Sequence, residues 1–431
     1  MGLLLNFFVY SRQNAPSTEI KNAVGRNDWQ SVERLAAKSL VKSPKDRTSS
    51  LLLTMSLMRQ EKLPQALASA QRTVAIDSSL MQAWLIVSEC QSKLALTKES
   101  ISTLLETQRR FPDSLQPTWA LGMTYARAGK CADAITPLEE IMFRRPDVLG
   151  VVQQLAQCYF TTQRYAEAVD LFGRVVERDP NNANIQRLYA EALLANKLFD
   201  SAVFHIREAI RLNPKEPGAY LILSGALQEL NKTDEALAAS KRVTVIAPHD
   251  PMGWYNVGLL HLALNQHDSA IRAFKQCVSL RPNYPEAYFN LGLAYEHRGF
   301  QEDAIISLKR CASLSPLLAP DAYNSLAIMY RKEGRFEEAV AVHGEAIALR
   351  DTSISLRVSR INTYYEAEKC GLGQAVVNAE LLRFPNEPEI LYSAGRCLLR
   401  TGNVARVEAI LIKLDALSPF WAEQLRSIIK I

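Results

Sequence analysis

Apolar and polar positions alternate along this chain with a helical rhythm. In the stretch EAYFNLGLAYEHRG, Tyr288, Leu291, Gly292 and Tyr295 fall at i, i+3, i+4 and i+7, and Gly299 closes the segment. The next stretch, QEDAIISLKRCASL, repeats the arrangement with Ala304, Leu308, Cys311 and Ala312, and Pro316 stops it. The pattern predicts two amphipathic helices joined by a short turn. The small residues Gly292 and Ala304 let the two backbones approach closely, and the bulkier Tyr288, Leu291 and Leu308 fill the space around that contact. One such hairpin buries too little apolar area to offset its ordering entropy, so neighbours have to stack on it.

The sequence supplies those neighbours. The closing proline recurs at Pro112, Pro146, Pro180, Pro214, Pro248, Pro282 and Pro316, each 34 residues after the last. The alanine of the second helix recurs as Ala134, Ala168, Ala202, Ala236, Ala270 and Ala304. The small residue of the first helix recurs as Ser88, Gly122, Ala156, Ala190, Ser224, Gly258 and Gly292. Three classes of position keep one period, which is the mark of a stacked repeat array.

The motif W-x2-L-G-x2-Y, then A-x3-F, A and P at a 34-residue step resembles the tetratricopeptide repeat (TPR). WYNVGLLHLALNQHDSAIRAFKQCVSLRP from Trp254 and AYNSLAIMYRKEGRFEEAVAVHGEAIAL from Ala322 carry the resemblance most fully. Units begin near residues 13, 47, 81, 115, 149, 183, 217, 251, 285, 320, 354 and 388, almost the whole chain. The resemblance implies an all-α fold, a right-handed superhelix (α-solenoid) of about 11–12 helix-turn-helix repeats with a C-terminal capping helix. It is similar to the TPR region of glycosyltransferases and of assembly scaffolds.

Departures from the motif divide the chain further. Residues 1–12 form an apolar N-terminal segment and 13–349 an array of about ten repeats, the first degenerate at Pro16, Glu19 and Ile20. Residues 350–421 hold two further repeats. One residue is inserted near Ser315–Pro320, so that turn should differ. Arg360, Ile361 and Glu380 replace expected motif residues, and RDTS at 350–353 lacks the usual proline, so residues 350–385 are expected to pack weakly and to bend. The capping helix is expected over 419–431, with Trp421, Leu425, Ile428 and Ile429 on its packed face.

Composition narrows the chemistry. The net charge of +5 over 431 residues demands no concentrated phosphate-binding face, so no nucleic-acid partner is expected. From Met1 to Arg47 there are eight Lys/Arg against four Asp/Glu, so most of the excess sits at the start. Seven cysteines are scattered without a C-x-x-C pair, which reads as neither a disulfide framework nor a zinc site, and favours a reducing, cytoplasmic location. MGLLLNFFVY is too short to span a bilayer and lacks the marks of a secretory or myristoylation signal. It reads either as an apolar cap on the first helices or as a weak contact with a membrane or partner.

The chain shows no phosphate-cradling glycine loop, no H-E-x-x-H and no nucleophile elbow. His261 stands where the repeat usually has an aromatic, and Cys277 and Cys311 take the small core place of consecutive units. Neither a catalytic residue nor a cofactor or metal site is expected.

In arrays of this family, outward side chains of each first helix line a concave groove that meets the ligand. Carried over place by place, these are Trp119 and Met123, then Phe160, then Leu221. Further on come Tyr255, Leu259 and Leu262, then Phe289 and Leu293, then Asn324, Ile328 and Arg331. A stripe of apolar groups rimmed by charge marks a partner surface, and the peptide contact is expected from Leu221 to Ile328, with Tyr255 and Phe289 as anchors. The asparagine ladder of the glycosyltransferase arrays is matched only by Asn256 and Asn290. The chaperone clamp for a C-terminal carboxylate does not assemble, because Asp321 and Ser325 stand where its residues would continue. The reading that follows is a non-enzymatic scaffold holding peptide segments of partner proteins. A substrate-recruiting subunit or fragment of a modifying enzyme such as a glycosyltransferase, and a membrane-peripheral assembly factor, are the alternatives. The oligomeric state is left open.

Overall fold

The computed structural model describes residues 17–349 and 353–429. The apolar segment 1–12, the start of the first unit and most of RDTS lie outside the described residues. Among those described, all regular structure is helical and forms two compact units, Met1–Asn213 and Pro214–Ile431.

In the first unit, α1 (Thr18–Gly25) pairs with α2 (Trp29–Lys42), α3 (Arg47–Arg59) with α4 (Leu63–Ile76), and α5 (Met81–Lys93) with α6 (Thr97–Arg110). Then α7 (Leu115–Arg127) pairs with α8 (Cys131–Arg144), α9 (Leu149–Thr161) with α10 (Tyr165–Arg178), and α11 (Ala183–Ala195) with α12 (Phe199–Leu212). In the second unit, α13 (Pro217–Glu229) pairs with α14 (Thr233–Ile246), α15 (Pro251–Ala263) with α16 (His267–Leu280), and α17 (Pro285–His297) with α18 (Gln301–Leu314). Next, α19 (Ala319–Lys332) pairs with α20 (Phe336–Leu349). α21 (Ile354–Glu366) and α22 (Gln374–Arg383) precede α23 (Pro388–Arg400), which pairs with α24 (Val404–Leu417), and α25 (Pro419–Ile429) follows.

Each hairpin turns through one left-handed residue at a fixed place. These are Asn27, Glu61, Ala95, Gly129, Gln163, Lys197, Asn231, Asn265, Gly299, Gly334, Glu368 and Gly402, all with φ between 57° and 76°. The spacing is 34 except between Gly299 and Gly334, where it is one longer, so the extra residue near Ser315–Pro320 is absorbed in the connection ahead of α19. Starts are fixed by proline at the first turn of α13, α15, α17 and α23. Side-chain caps do this elsewhere, as at α3, where Asp46 accepts from the Thr48 amide at 3.1 Å.

The recurring small residues sit where two helices touch. A Cβ on Gly258 would lie 2.5 Å from the ring of buried Phe274, and one on Gly292 would lie 2.7 Å from Leu308. Ala134, Ala168, Ala202, Ala236, Ala270 and Ala304 are all fully buried. Cys277 and Cys311 are buried too, and burial pushes their thiols up to about 12 and about 11, so they act as inert core groups.

Three expectations need correction near the C-terminus. Glu380 is no simple misfit at a small core place: it is buried and accepts from Arg357 Nη1 at 2.6 Å, with Arg357 also stacked on Phe384 at 4.9 Å. Beside this pair α22 is 10 residues long, and α21 packs on α20 and α23 and little on α22. Cys370 and Cys397 form a disulfide with a Cα separation of 5.3 Å, whereas the cysteine spacing had suggested no pairing. On α25 the buried residues are Ala422 and Leu425, with Trp421 half-buried against Tyr392, and Ile429 turns out to solvent.

Candidate functional site

The first helices of the second unit carry most of the residues assigned to the groove. On α13 Leu221 is half-buried, as are Tyr255, Asn256, Leu259 and Leu262 on α15, and Phe289, Asn290 and Leu293 on α17. On α19 Ile328 is 38% exposed and Arg331 is half-buried. Trp119 and Met123 on α7 and Phe160 on α9 belong to the first unit, where they pack against its core.

These side chains do more structural work than their places suggested. Tyr255 packs on the Phe274 and Tyr284 rings at 5.9 and 5.0 Å, and Leu259 and Leu262 join the same cluster. Burial raises the Tyr255 phenol, which accepts from Asn290 Nδ2 at 3.2 Å. Asn290 Nδ2 also donates to the Glu286 carbonyl at 2.9 Å, so this asparagine is engaged within its own array. Phe289 packs against the α18–α20 core. Ile328 is exposed, and Leu221 and Leu293 are half-buried.

Side chains one repeat apart link successive first helices. Tyr255 and Asn290 join α15 to α17, Lys332 and Glu296 join α19 to α17 at 2.7 Å, and Arg331 and Glu366 join α19 to α21 at 2.5 Å. Past Ile328 polar groups join the apolar ones on this face. The Arg396 guanidinium lies 3.9 Å from the Tyr365 ring centre and that of Arg400 4.7 Å, so α23 grips α21. Burial raises the Tyr365 phenol, but hydrogen bonds from Arg396 and Arg400 outweigh it and hold the phenol below its usual range. Arg396 Nε, Asn324 Oδ1 and Asn362 Oδ1 are buried without a hydrogen-bond partner. Asn362, Tyr365 and Arg396 occupy the same ninth and twelfth places that mark the earlier groove residues. Continuing that spacing past Arg331 would have found them, despite the loss of the motif after residue 350.

His261 is buried in α15 with Nδ1 2.7 Å from Gln266 Oε1, and burial lowers its proton affinity. This packing agrees with its reading as a stand-in for a core aromatic. Among the described residues there is no group of acids, histidines and cysteines fit to hold a metal, and no helix long and apolar enough to cross a membrane.

Family models described as tetratricopeptide repeat match residues 125–192, 285–316 and 321–350, and one described as TPR repeat matches 261–299. A model described as anaphase-promoting complex, cyclosome, subunit 3 matches 171–243. No curated protein matches the chain. Among solved structures, the C-terminal part of a TPR repeat-containing protein from Cytophaga hutchinsonii is 14% identical, with TM-score 0.50, covering 56% of this chain and 98% of that one. MamA from Desulfovibrio magneticus RS-1 is 19% identical, with TM-score 0.37, covering 39% and 95%. YrrB, described as a TPR protein with an unusual peptide-binding site, is 16% identical, with TM-score 0.36, covering 42% and 93%. At 14% identity the likeness to the Cytophaga hutchinsonii protein speaks to the fold alone. The motif period, the twelve left-handed turns at matching places and the repeat matches together make this chain a member of the tetratricopeptide repeat superfamily.

Proposed function

We propose that this chain is a non-enzymatic scaffold that holds a peptide segment of a partner protein along the first-helix face of its second unit. The observation that carries the reading is the set Leu221 on α13, Phe289 and Leu293 on α17, and Ile328 on α19, all on first helices of the second unit. All four are apolar and all keep part of their surface open. Apolar side chains of a partner would seat on this set, and the Asn and Arg groups beyond Ile328 would bond its polar groups. TPR arrays serve protein interaction in general, and this apolar set supports the narrower peptide-binding role.

Affinity capture with the full chain tests this. Partners retained by the wild type should be lost from a Leu293→Glu/Ile328→Glu variant that keeps its thermal unfolding midpoint. Retention of the same partners by that variant would remove the proposal.

A further inference from the structure

Apart from the first-helix face, the second unit holds a cleft of about 380 Å³ lined by α14, α15 and α16. Its walls are Lys241 and Thr244 from α14, Trp254 and His261 from α15, and Ser269 and Arg272 from α16. That volume falls within the range of small-ligand sites.

The charge here is one-sided. Arg272 donates to Ser269 Oγ at 2.9 Å, and among the described residues neither Lys241 nor Arg272 has a carboxylate within ion-pair distance. Both cations disfavour a proton on His261, after the larger effect of burial. The Trp254 indole is fixed by its Nε1 donating to the Pro248 carbonyl at 2.9 Å, so the ring is a set wall. The cleft therefore offers two cations on separate helices, two hydroxyls and a rigid aromatic surface, with no anion among its lining residues.

We propose that this cleft binds a phosphomonoester, its phosphoryl group held between Lys241 and Arg272 and the body of the ligand lying against Trp254. A carboxylate has two oxygens and one charge, and would leave part of this donor set unused. A phosphoryl group brings three acceptor oxygens and close to two negative charges. The Thr244 and Ser269 hydroxyls complete its hydrogen bonding.

The test uses the full chain with inorganic phosphate, O-phosphoserine and serine as probes, read by calorimetric titration at constant ionic strength. O-phosphoserine is expected to bind saturably, serine not to bind, and Lys241→Gln and Arg272→Gln each to weaken O-phosphoserine about tenfold, the loss of one charge-assisted hydrogen bond. Phosphate binding as tightly as O-phosphoserine would make free phosphate the natural occupant. Tighter O-phosphoserine would make it a phosphorylated side chain or small ester. Lys241 and Arg272 are exposed, so both variants should keep the wild-type unfolding midpoint. Sulfate and chloride binding equally well, or unchanged affinity in the Lys241→Gln/Arg272→Gln double variant, would overturn the proposal. The Leu293→Glu/Ile328→Glu variant should bind O-phosphoserine normally, so the two sites stand or fall separately.

Discussion

Asn290 Nδ2 donates to the Tyr255 hydroxyl across 3.2 Å, one repeat away, and so ties α17 to α15 at the centre of the apolar face. The same tyrosine packs on Phe274 and Tyr284. Tyr255→Phe should therefore cost about 1 kcal/mol, the worth of one hydrogen bond, and Tyr255→Ala about 3 kcal/mol, through lost packing. Urea unfolding separates the two. Equal small losses would mean that Tyr255 stands free of the core, where it could serve as an anchor.

The Arg357–Glu380 pair is more than 90% buried on both sides. Glu380→Ala should destabilise by about 3–5 kcal/mol, because it takes the carboxylate away from a buried guanidinium. Arg357→Met/Glu380→Leu should recover most of that loss. Thermal unfolding of the single and double variants checks this, and additive losses would contradict it.

Much of the fold could be read from the chain because its determinants are local. Proline stops, small residues at helix contacts and one turn residue per hairpin all repeat in step, and the observed helix starts at Arg47, Met81, Leu115, Leu149 and Ala183 follow the motif directly. What escaped depends on neighbours in space. Cys370 meets Cys397, and Glu380 is buried against Arg357, through contacts between separate helices and turns that no spacing in the sequence announces. Places on a repeat also do not say how far a side chain leans inward. Ile328 stays open at its groove place, and Tyr255, at an equivalent kind of place, is half-buried against the core.

Left-handed turns offer a stabilising change. Gln163 and Lys197 hold φ of 63°, where glycine serves in four other hairpins of this chain. Gln163→Gly and Lys197→Gly should each gain roughly 0.5–1 kcal/mol, relief of Cβ strain less the added chain entropy. Gly299→Ala should lose a similar amount. Differential scanning calorimetry measures all three, and a destabilising Lys197→Gly would refute the strain argument.

His343 is fully buried in α20 with neither ring nitrogen hydrogen-bonded, and burial, then the Arg331 and Arg360 guanidiniums, push it down to about 4. Its folded value lies below the unfolded one near 6.5, so the unfolded chain binds more protons between the two. Stability is fully present above about 6.5 and is lost as the pH falls toward 4, by on the order of 3 kcal/mol. In His343→Leu this dependence should flatten in urea titrations from pH 4 to 7. An unchanged slope would assign it to other groups.

The first-helix face of the second unit is the proposed seat of a partner polypeptide. Photo-crosslinking measures this most directly, with a photoreactive amino acid placed at Leu293 on that face or at the exposed Lys309 on α18. Crosslinks to one partner protein from position 293, and none from 309, are the expected result. Equal crosslinking from both positions, or from 309 alone, would contradict the account.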